Sequence, residues 1–288
     1  MACVVDSRPG QRVRPPSGQV QETRNSWGRA MLRGKSVLVT GSSQGIGLAA
    51  ARAMLAADAR VVLTSERPLE ACVEVQAVLA EFPEASYVPH DLSRDGAAEE
   101  LVGQAWELAG GIDVLVNNVG TFREPAFLDL TRRDFDFVFG LNVWVAVAVT
   151  QAVVRRAEAV GRGGRILFTT SLNGTRSEPA HTLYDASKGA INALTRQLAV
   201  ELAPRGFTTA AVAPGLVETP LTDHGLRSDP AARRAVEGQI PLGRIGVVDD
   251  IAGWFVFLAS DAARYARRAN RISIRHPLGE VVAVIEIV

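Results

Sequence analysis

The chain is short of the features that would set it apart from an ordinary globular protein. It has two cysteines, Cys3 and Cys72, in 288 residues. Two distant thiols make neither a disulfide framework nor a metal-ligand pair, so a reducing, cytoplasmic setting is expected and no metal site is read. Charge of one sign is also lacking, since 31 Lys and Arg stand against 31 Asp and Glu. A chain built to coat nucleic acid or an anionic membrane carries a basic excess, so neither is an expected partner. There is no run of about 18 apolar residues, and hence no expected spanning helix. The N-terminus lacks the apolar region of a secretory signal.

What remains is a composition of 47% hydrophobic and 22% charged residues, with length enough for a sizeable core. Three stretches differ in character. Residues 1–34 include the turn-rich, basic segment 11–18 and have no apolar period, so they read as a disordered tail. Met31 directly precedes the ordered-looking sequence, which makes the tail a candidate upstream extension of the coding start. From Ser36, short apolar runs at 36–40, 61–64, 114–117, 166–171 and 209–213 alternate with helix-length stretches. The runs lack polar alternation, as expected of parallel strands covered on both faces. In one helical stretch Ile191, Leu194, Leu198 and Leu202 share a face. The fold class that follows is α/β, a doubly wound parallel sheet flanked by helices, in one domain over 35–265. Residues 266–288 stand apart as a third, atypical segment.

After the first strand come Gly41, Ser42, Ser43, Gln44, Gly45, Ile46 and Gly47, then an alanine-rich helical pattern. Glycines here allow a ligand to approach the backbone, and a helix N-terminus offers N–H groups to a pyrophosphate. The last, Gly47, permits tight helix–strand packing. A plain strand–helix loop is the alternative. The second strand ends in Ser65, Glu66 and Arg67. An acid near this point holds a ribose 2′-OH, whereas an arginine accommodates a 2′-phosphate. With Ser65 in the expected acid position and Arg67 close by, the reading is NAD(P) with a slight lean to NADP. A solvated Glu66–Arg67 pair is the other option.

Tyr184 and Lys188 are four residues apart and so share a helix face. An ammonium beside a phenol stabilises the phenolate, so Lys188 is expected to lower the pKa of Tyr184 and make it a usable base. Ser171 ends the run at 166–171, where open α/β sheets bind ligands. Asn142 is a polar residue in apolar helical company, which demands a hydrogen-bond partner or a water.

Taken in order, the residues 40–47, His90-Asp91-Leu92, Asn117-Asn118-Val119-Gly120, Asn142, Ser171, Tyr184 with Lys188, and Pro214-Gly215 followed by Thr219 resemble the short-chain dehydrogenase/reductase family over about 35–265. The resemblance implies a single Rossmann-type domain that moves a hydride between NAD(P)(H) and a small alcohol or ketone. It implies Tyr184 as general acid/base, Ser171 as the group that positions the substrate oxygen, and Lys188 as a ligand of the nicotinamide ribose. Asn142 would hold the water of a proton relay. Asp91 and Leu92 would border the adenine, Asn118 would lie near the adenine-side ribose, Gly120 would also touch the cofactor, and Val217 and Thr219 would meet the nicotinamide end. The family's usual assembly is a homodimer or homotetramer.

The pattern departs from the family after Tyr265. Residues 272–274 can still form the last strand, and 281–288 reads as an extra strand or an aggregation-prone edge. This departure puts the tetramer in question. Substrate choice is expected in 172–181 and in 216–240. Asn173, Arg176, Glu178 and His181 suit a polyol or sugar, while Leu216, Leu221 and Leu226 leave room for an apolar ketone. Arg132 and Arg133 keep an acyl-carrier-protein ketoacyl reductase as an alternative. A non-enzymatic dinucleotide-binding protein with an aberrant C-terminus is another. A hydrolase built on Ser171 lacks a His–acid partnership.

Overall fold

The computed structural model describes residues 30–123, 125–222 and 228–264, and the backbone of 269–273 and 284–287. Eight strands form one sheet: β1 (Ser36–Thr40), β2 (Arg60–Ser65), β3 (Ala85–Pro89), β4 (Val114–Asn117), β5 (Gly164–Thr169), β6 (Phe207–Ala213), β7 (Ala269–Ser273) and β8 (Val284–Ile287). Their order is β3-β2-β1-β4-β5-β6-β7-β8. β1 to β7 run parallel and β8 pairs antiparallel with β7. The sheet is the doubly wound one expected from alternating strand and helix patterns.

The apolar runs are continuous because both faces of the sheet are covered. Val37 and Val39 point into a core shared with α1 (Gly45–Ala56) and α8 (Asp249–Ala259), through Met54 and Phe255. Leu38, between them, points into the opposite core with Val102 of α3 (Ala97–Ala109), Val149 of α5 (Val145–Glu158) and Ile191 of α6 (Thr182–Glu201). That is the two-residue period of a strand, hidden in the sequence because both phases are apolar. Three further helices, α2 (Val73–Glu81), α4 (Arg132–Phe139) and α7 (Pro230–Glu237), complete the described helical set.

Four details differ from the sequence reading. The edge strand β3 is not foreshadowed by an apolar run; of its five residues Val88 alone is buried. β5 stops at Thr169, so Ser171 lies just beyond the strand end. The domain begins before residue 35. Leu32 is completely buried in the α1-side core and its N–H donates to the Ala57 carbonyl at 2.9 Å, so 30–34 belong to the fold. Residues 1–29 of the expected tail, and most of 266–288, lie outside the described residues, although the two strands expected near 272–274 and 281–288 appear as β7 and β8. Finally, α4, a π-turn at Gly140–Trp144 and α5 join into a 27-residue helix, Arg132–Glu158, long and apolar enough by composition to cross a membrane. Here Val145, Val149 and Val153 of that helix pack in the core.

The strand order reverses between β1 and β4. A crevice forms beyond the C-terminal ends of strands at such a switch point, and this is where the site lies.

Candidate active site

The crevice is a cavity of about 360 Å³. One end is built by the turn from β1 to α1. Gly41 and Gly45 have φ of +61° and +59°, the left-handed region that favours glycine. At Gly47 a Cβ would stand 2.4 Å from both the Gly41 carbonyl oxygen and Asn118 Nδ2. No side chain caps α1 and no acid occupies its first turn, so its leading N–H groups remain available to an anion. Asn118 ties this turn to the neighbouring strands: its Nδ2 donates to the Gly41 carbonyl at 2.9 Å and its Oδ1 accepts from Thr169 Oγ1 at 3.0 Å. The Asn118 N–H donates to Thr40 Oγ1 at 3.0 Å. A glycine cradle with an uncapped helix start fits the pyrophosphate of a dinucleotide.

The other end carries the reactive side chains. Lys188 is 5% exposed, and its Nζ donates to the Thr169 carbonyl at 3.0 Å and lies 5.6 Å from the centre of the Tyr184 ring. Burial pushes its pKa down to about 8. Ser171 and Tyr184 both line the cavity, and the Ser171 hydroxyl acts to lower the Tyr184 pKa. Phe122 meets the Tyr184 ring edge-on at 5.0 Å between centroids. The Tyr184 pKa is raised above that of an ordinary phenol, first by burial and then, against the lowering by the Ser171 hydroxyl, by the nearby carboxylates of Asp185 and Glu178. The dominant influence is thus burial, which penalises the phenolate, and not the expected lowering by Lys188.

Asn142 sits in the π-turn between α4 and α5 and is 2% exposed. Its Oδ1 accepts from the Thr121 N–H at 2.7 Å, and its Nδ2 donates to the Thr121 carbonyl at 3.0 Å and to Ser187 Oγ at 2.9 Å. Ser187 Oγ donates in turn to the Tyr184 carbonyl at 2.7 Å. Both amide protons are therefore spent, and the side chain keeps one Oδ1 lone pair for a water. Its evident work is to lock the 119–121 segment against the helix that carries Tyr184.

Of the residues singled out in the sequence, Gly41, Ser43, Gln44, Gly45, Ile46, Ser65, Asn118, Gly120, Ser171, Tyr184, Lys188, Pro214, Gly215, Val217 and Thr219 line the cavity together. Gly47 acts by its close approach instead. Four others are not brought to the wall, the buried Asn142 of the π-turn among them. The Arg67 guanidinium donates to the Ala71 carbonyl. Asp91 is exposed, and its carboxylate accepts from Ser93 Oγ at 2.7 Å and from the Ser93 N–H at 2.9 Å, which holds its pKa below the usual range. Leu92 packs on the α3–α5 core. The cavity wall also contains Glu66, Val119, Thr169, Thr170, Pro220, Leu221 and Thr222. Glu66 and Val119 were visible beside the motifs; the two threonines carry no signal beyond their place at the end of β5. Leu226 lies outside the described residues.

The fold and the site together define a dinucleotide-dependent oxidoreductase. A family model described as enoyl-(acyl carrier protein) reductase matches residues 41–270. The L-rhamnose 1-dehydrogenase (NAD(P)(+)) of Azotobacter vinelandii is 37% identical over 244 residues, covering 83% of this chain and 95% of that one. The sorbitol dehydrogenase of Cereibacter sphaeroides is 33% identical, covering 81% and 93%. Among solved structures, one described as a 2-deoxy-D-gluconate 3-dehydrogenase from Agrobacterium tumefaciens with bound NADP has 35% identity and a TM-score of 0.73, covering 81% of this chain and 92% of that one. The chain belongs to the short-chain dehydrogenase/reductase family and is an NAD(P)-dependent oxidoreductase acting on an alcohol or carbonyl.

Proposed function

We propose that this enzyme interconverts a hydroxyl and a carbonyl on a sugar or polyol. The similarity to a rhamnose and a sorbitol dehydrogenase carries the proposal, and a cluster of polar side chains stands beside Tyr184, its His181 ring 6.3 Å from that of the tyrosine. Asn173 Nδ2 donates to Asp185 Oδ1 at 2.9 Å and lies 3.0 Å from His181 Nδ1. His181 Nδ1 is also 3.4 Å from a Glu178 carboxylate oxygen. These side chains pair with one another, and Asn173, Glu178 and Asp185 line a neighbouring hollow outside the wall of the cavity.

The bound dinucleotide supplies the hydride acceptor or donor. Ser171 Oγ and Tyr184 Oη, both in the cavity wall, hold the substrate oxygen between them, and Tyr184 Oη gives or takes its proton. Because burial keeps the Tyr184 phenol protonated at neutral pH, the site is set to donate a proton, as carbonyl reduction requires. Alcohol oxidation needs the phenolate, so its rate rises with pH while the reduction rate falls.

A panel of aldoses, polyols, simple ketones and a 3-oxoacyl thioester, run with both cofactors, tests the assignment. The sugars or polyols should give the highest kcat/KM. A dominant rate on the thioester would replace this reading with the acyl-carrier-protein ketoacyl reductase that the sequence left as an alternative.

Self-association and a cytoplasmic location belong to the same proposal. Phe127, Leu128, Phe135 and Trp144 are large apolar side chains exposed on or just before the α4–α5 helix, a surface suited to a second copy of the chain. The buried free thiol of Cys72 is in keeping with a reducing compartment. A monomer in light scattering at micromolar concentration would sink the first point.

A further inference from the structure

Three groups close a ring of hydrogen bonds at the adenosine end of the cavity. The Arg67 N–H donates to Ser65 Oγ at 3.2 Å. The Tyr87 hydroxyl, on β3, donates to the Arg67 carbonyl at 2.6 Å. Ser65 Oγ and Tyr87 Oη are 2.7 Å apart. A phenol has one proton, and that of Tyr87 goes to the Arg67 carbonyl. The proton between the two oxygens is therefore the serine's. Every donor in the ring is spent inside it.

The ring also decides which side chain faces the cavity. With its N–H and carbonyl both held, residue 67 turns its guanidinium outward onto the Ala71 carbonyl. Glu66 is left in the cavity wall beside Ser65. Behind the ring, buried Cys72 places Sγ 3.7 Å from Tyr87 Oη. Burial, as the largest influence, lifts the Tyr87 pKa to about 12, so the hydroxyl stays a neutral donor across the working pH range.

We infer that Tyr87 is a positioning residue for cofactor choice, holding Ser65 and the Arg67 backbone so that the ribose meets a carboxylate and a serine whose proton is already held. The inference rests on the dinucleotide-binding assignment and goes beyond it. A ribose 2′-OH donates to Glu66. A 2′-phosphate brings its negative charge against Glu66, finds the Ser65 proton held in the ring, and must draw the Arg67 guanidinium from the Ala71 carbonyl. Gln44, in the facing glycine turn, adds no positive charge. The enzyme therefore accepts both dinucleotides of its family but binds the unphosphorylated one more tightly. The related Agrobacterium protein is described with NADP bound, so the discrimination lies in this loop and not in the fold.

The test is equilibrium binding of ADP-ribose and of its 2′-phosphate to the full chain by calorimetry, which needs no turnover. The wild type should bind ADP-ribose more tightly. Tyr87→Phe removes one hydroxyl, frees the Ser65 proton and loosens residue 67. The ratio of the two dissociation constants should then shift about three- to tenfold towards the phosphorylated ligand, the value of one hydrogen bond. Glu66→Gln should shift it the same way with the ring intact. A purely structural role for Tyr87 would weaken both ligands alike and leave the ratio unmoved, and that result overturns the inference, as does a wild type that prefers the 2′-phosphate. If Tyr87→Phe fails to fold, Ser65→Ala opens the same ring from its other side, and an unchanged ratio there counts equally against it. Failure of the wild type to bind either ligand is a different outcome, and overturns the dinucleotide assignment itself.

Discussion

The two ends of the cavity are held in different ways. At the reactive end, Lys188 and Asn142 are buried and anchored to backbone groups from other parts of the fold, Thr169 and Thr121. At the adenosine end, Glu66 is exposed and Arg67 is held by residues of its own loop and one tyrosine. A group fixed by core packing works in one geometry, and altering it removes the function. A group fixed by a few hydrogen bonds in a surface loop can be re-set at a cost of one or two of them. The reactive end thus decides whether there is catalysis, and the adenosine end decides on which cofactor.

The strongest way to break this comparison is Tyr184→Phe. It keeps the ring against Phe122 and deletes the proton-carrying oxygen. Turnover should fall by about 10²–10⁴-fold, the contribution of a positioned acid or base, while ADP-ribose affinity by calorimetry stays within about twofold, the scale of noise in one weak contact. Retained turnover would show that the proton moves elsewhere.

Gly47→Ala tests the cradle between the two ends. The new Cβ would meet the Gly41 carbonyl oxygen at 2.4 Å, a backbone atom that cannot swing aside. Nucleotide affinity should fall at least about tenfold and stability by about 1–3 kcal/mol, the usual cost of forcing a methyl into a filled space. The contrasting variant is Gly140→Ala, where a Cβ meets nothing within 4 Å and a helical conformation is already in place. It should be near neutral. Equal damage at both positions in urea melts would mean that the close approach at Gly47 is not what its glycine is for.

Why the sequence showed one end better than the other follows from the same contrast. Tyr184 and Lys188 lie on one helix, so a four-residue spacing places them together without any tertiary knowledge. The glycine turn, too, is local. Arg67 is a long side chain with two acceptors in reach, a phosphate and the Ala71 carbonyl, and sequence has no way to choose between them. The ring that makes the choice depends on Tyr87 in β3, a strand whose half-exposed residues carry no apolar run. The raised pKa of Tyr184 was missed because spacing shows that an ammonium is near but not how dry the place is. Leu32 was hidden by its basic neighbours, since one buried leucine makes no period. The sheet was legible throughout its centre, where strands are buried on both faces, and least so at its edges.

The smallest expected effect concerns stability and comes from the dryness of the reactive end. Lys188 has a pKa pushed from 10.5 to about 8 by burial. Below pH 8 it is charged both folded and unfolded, and the folded state bears the full cost of keeping that charge from water. Between about pH 8 and 10.5 the folded protein gives up this proton while the unfolded chain keeps it, so the lysine's penalty is relieved as pH rises. Lys188→Met removes the charge and fills the space, but leaves the Thr169 carbonyl without its donor. The variant should be inactive, yet more stable than the wild type at pH 7 by about 1–2 kcal/mol, after the lost hydrogen bond is set against the relieved burial. All other titrating groups are common to the two proteins, so the difference in urea-unfolding free energy isolates this one. That difference should be largest below pH 8 and shrink towards pH 10.5. A variant less stable at pH 7, or an advantage that grows with pH, would show that Lys188 is comfortably solvated, and the contrast between a dry reactive end and a wet adenosine end would lose its basis.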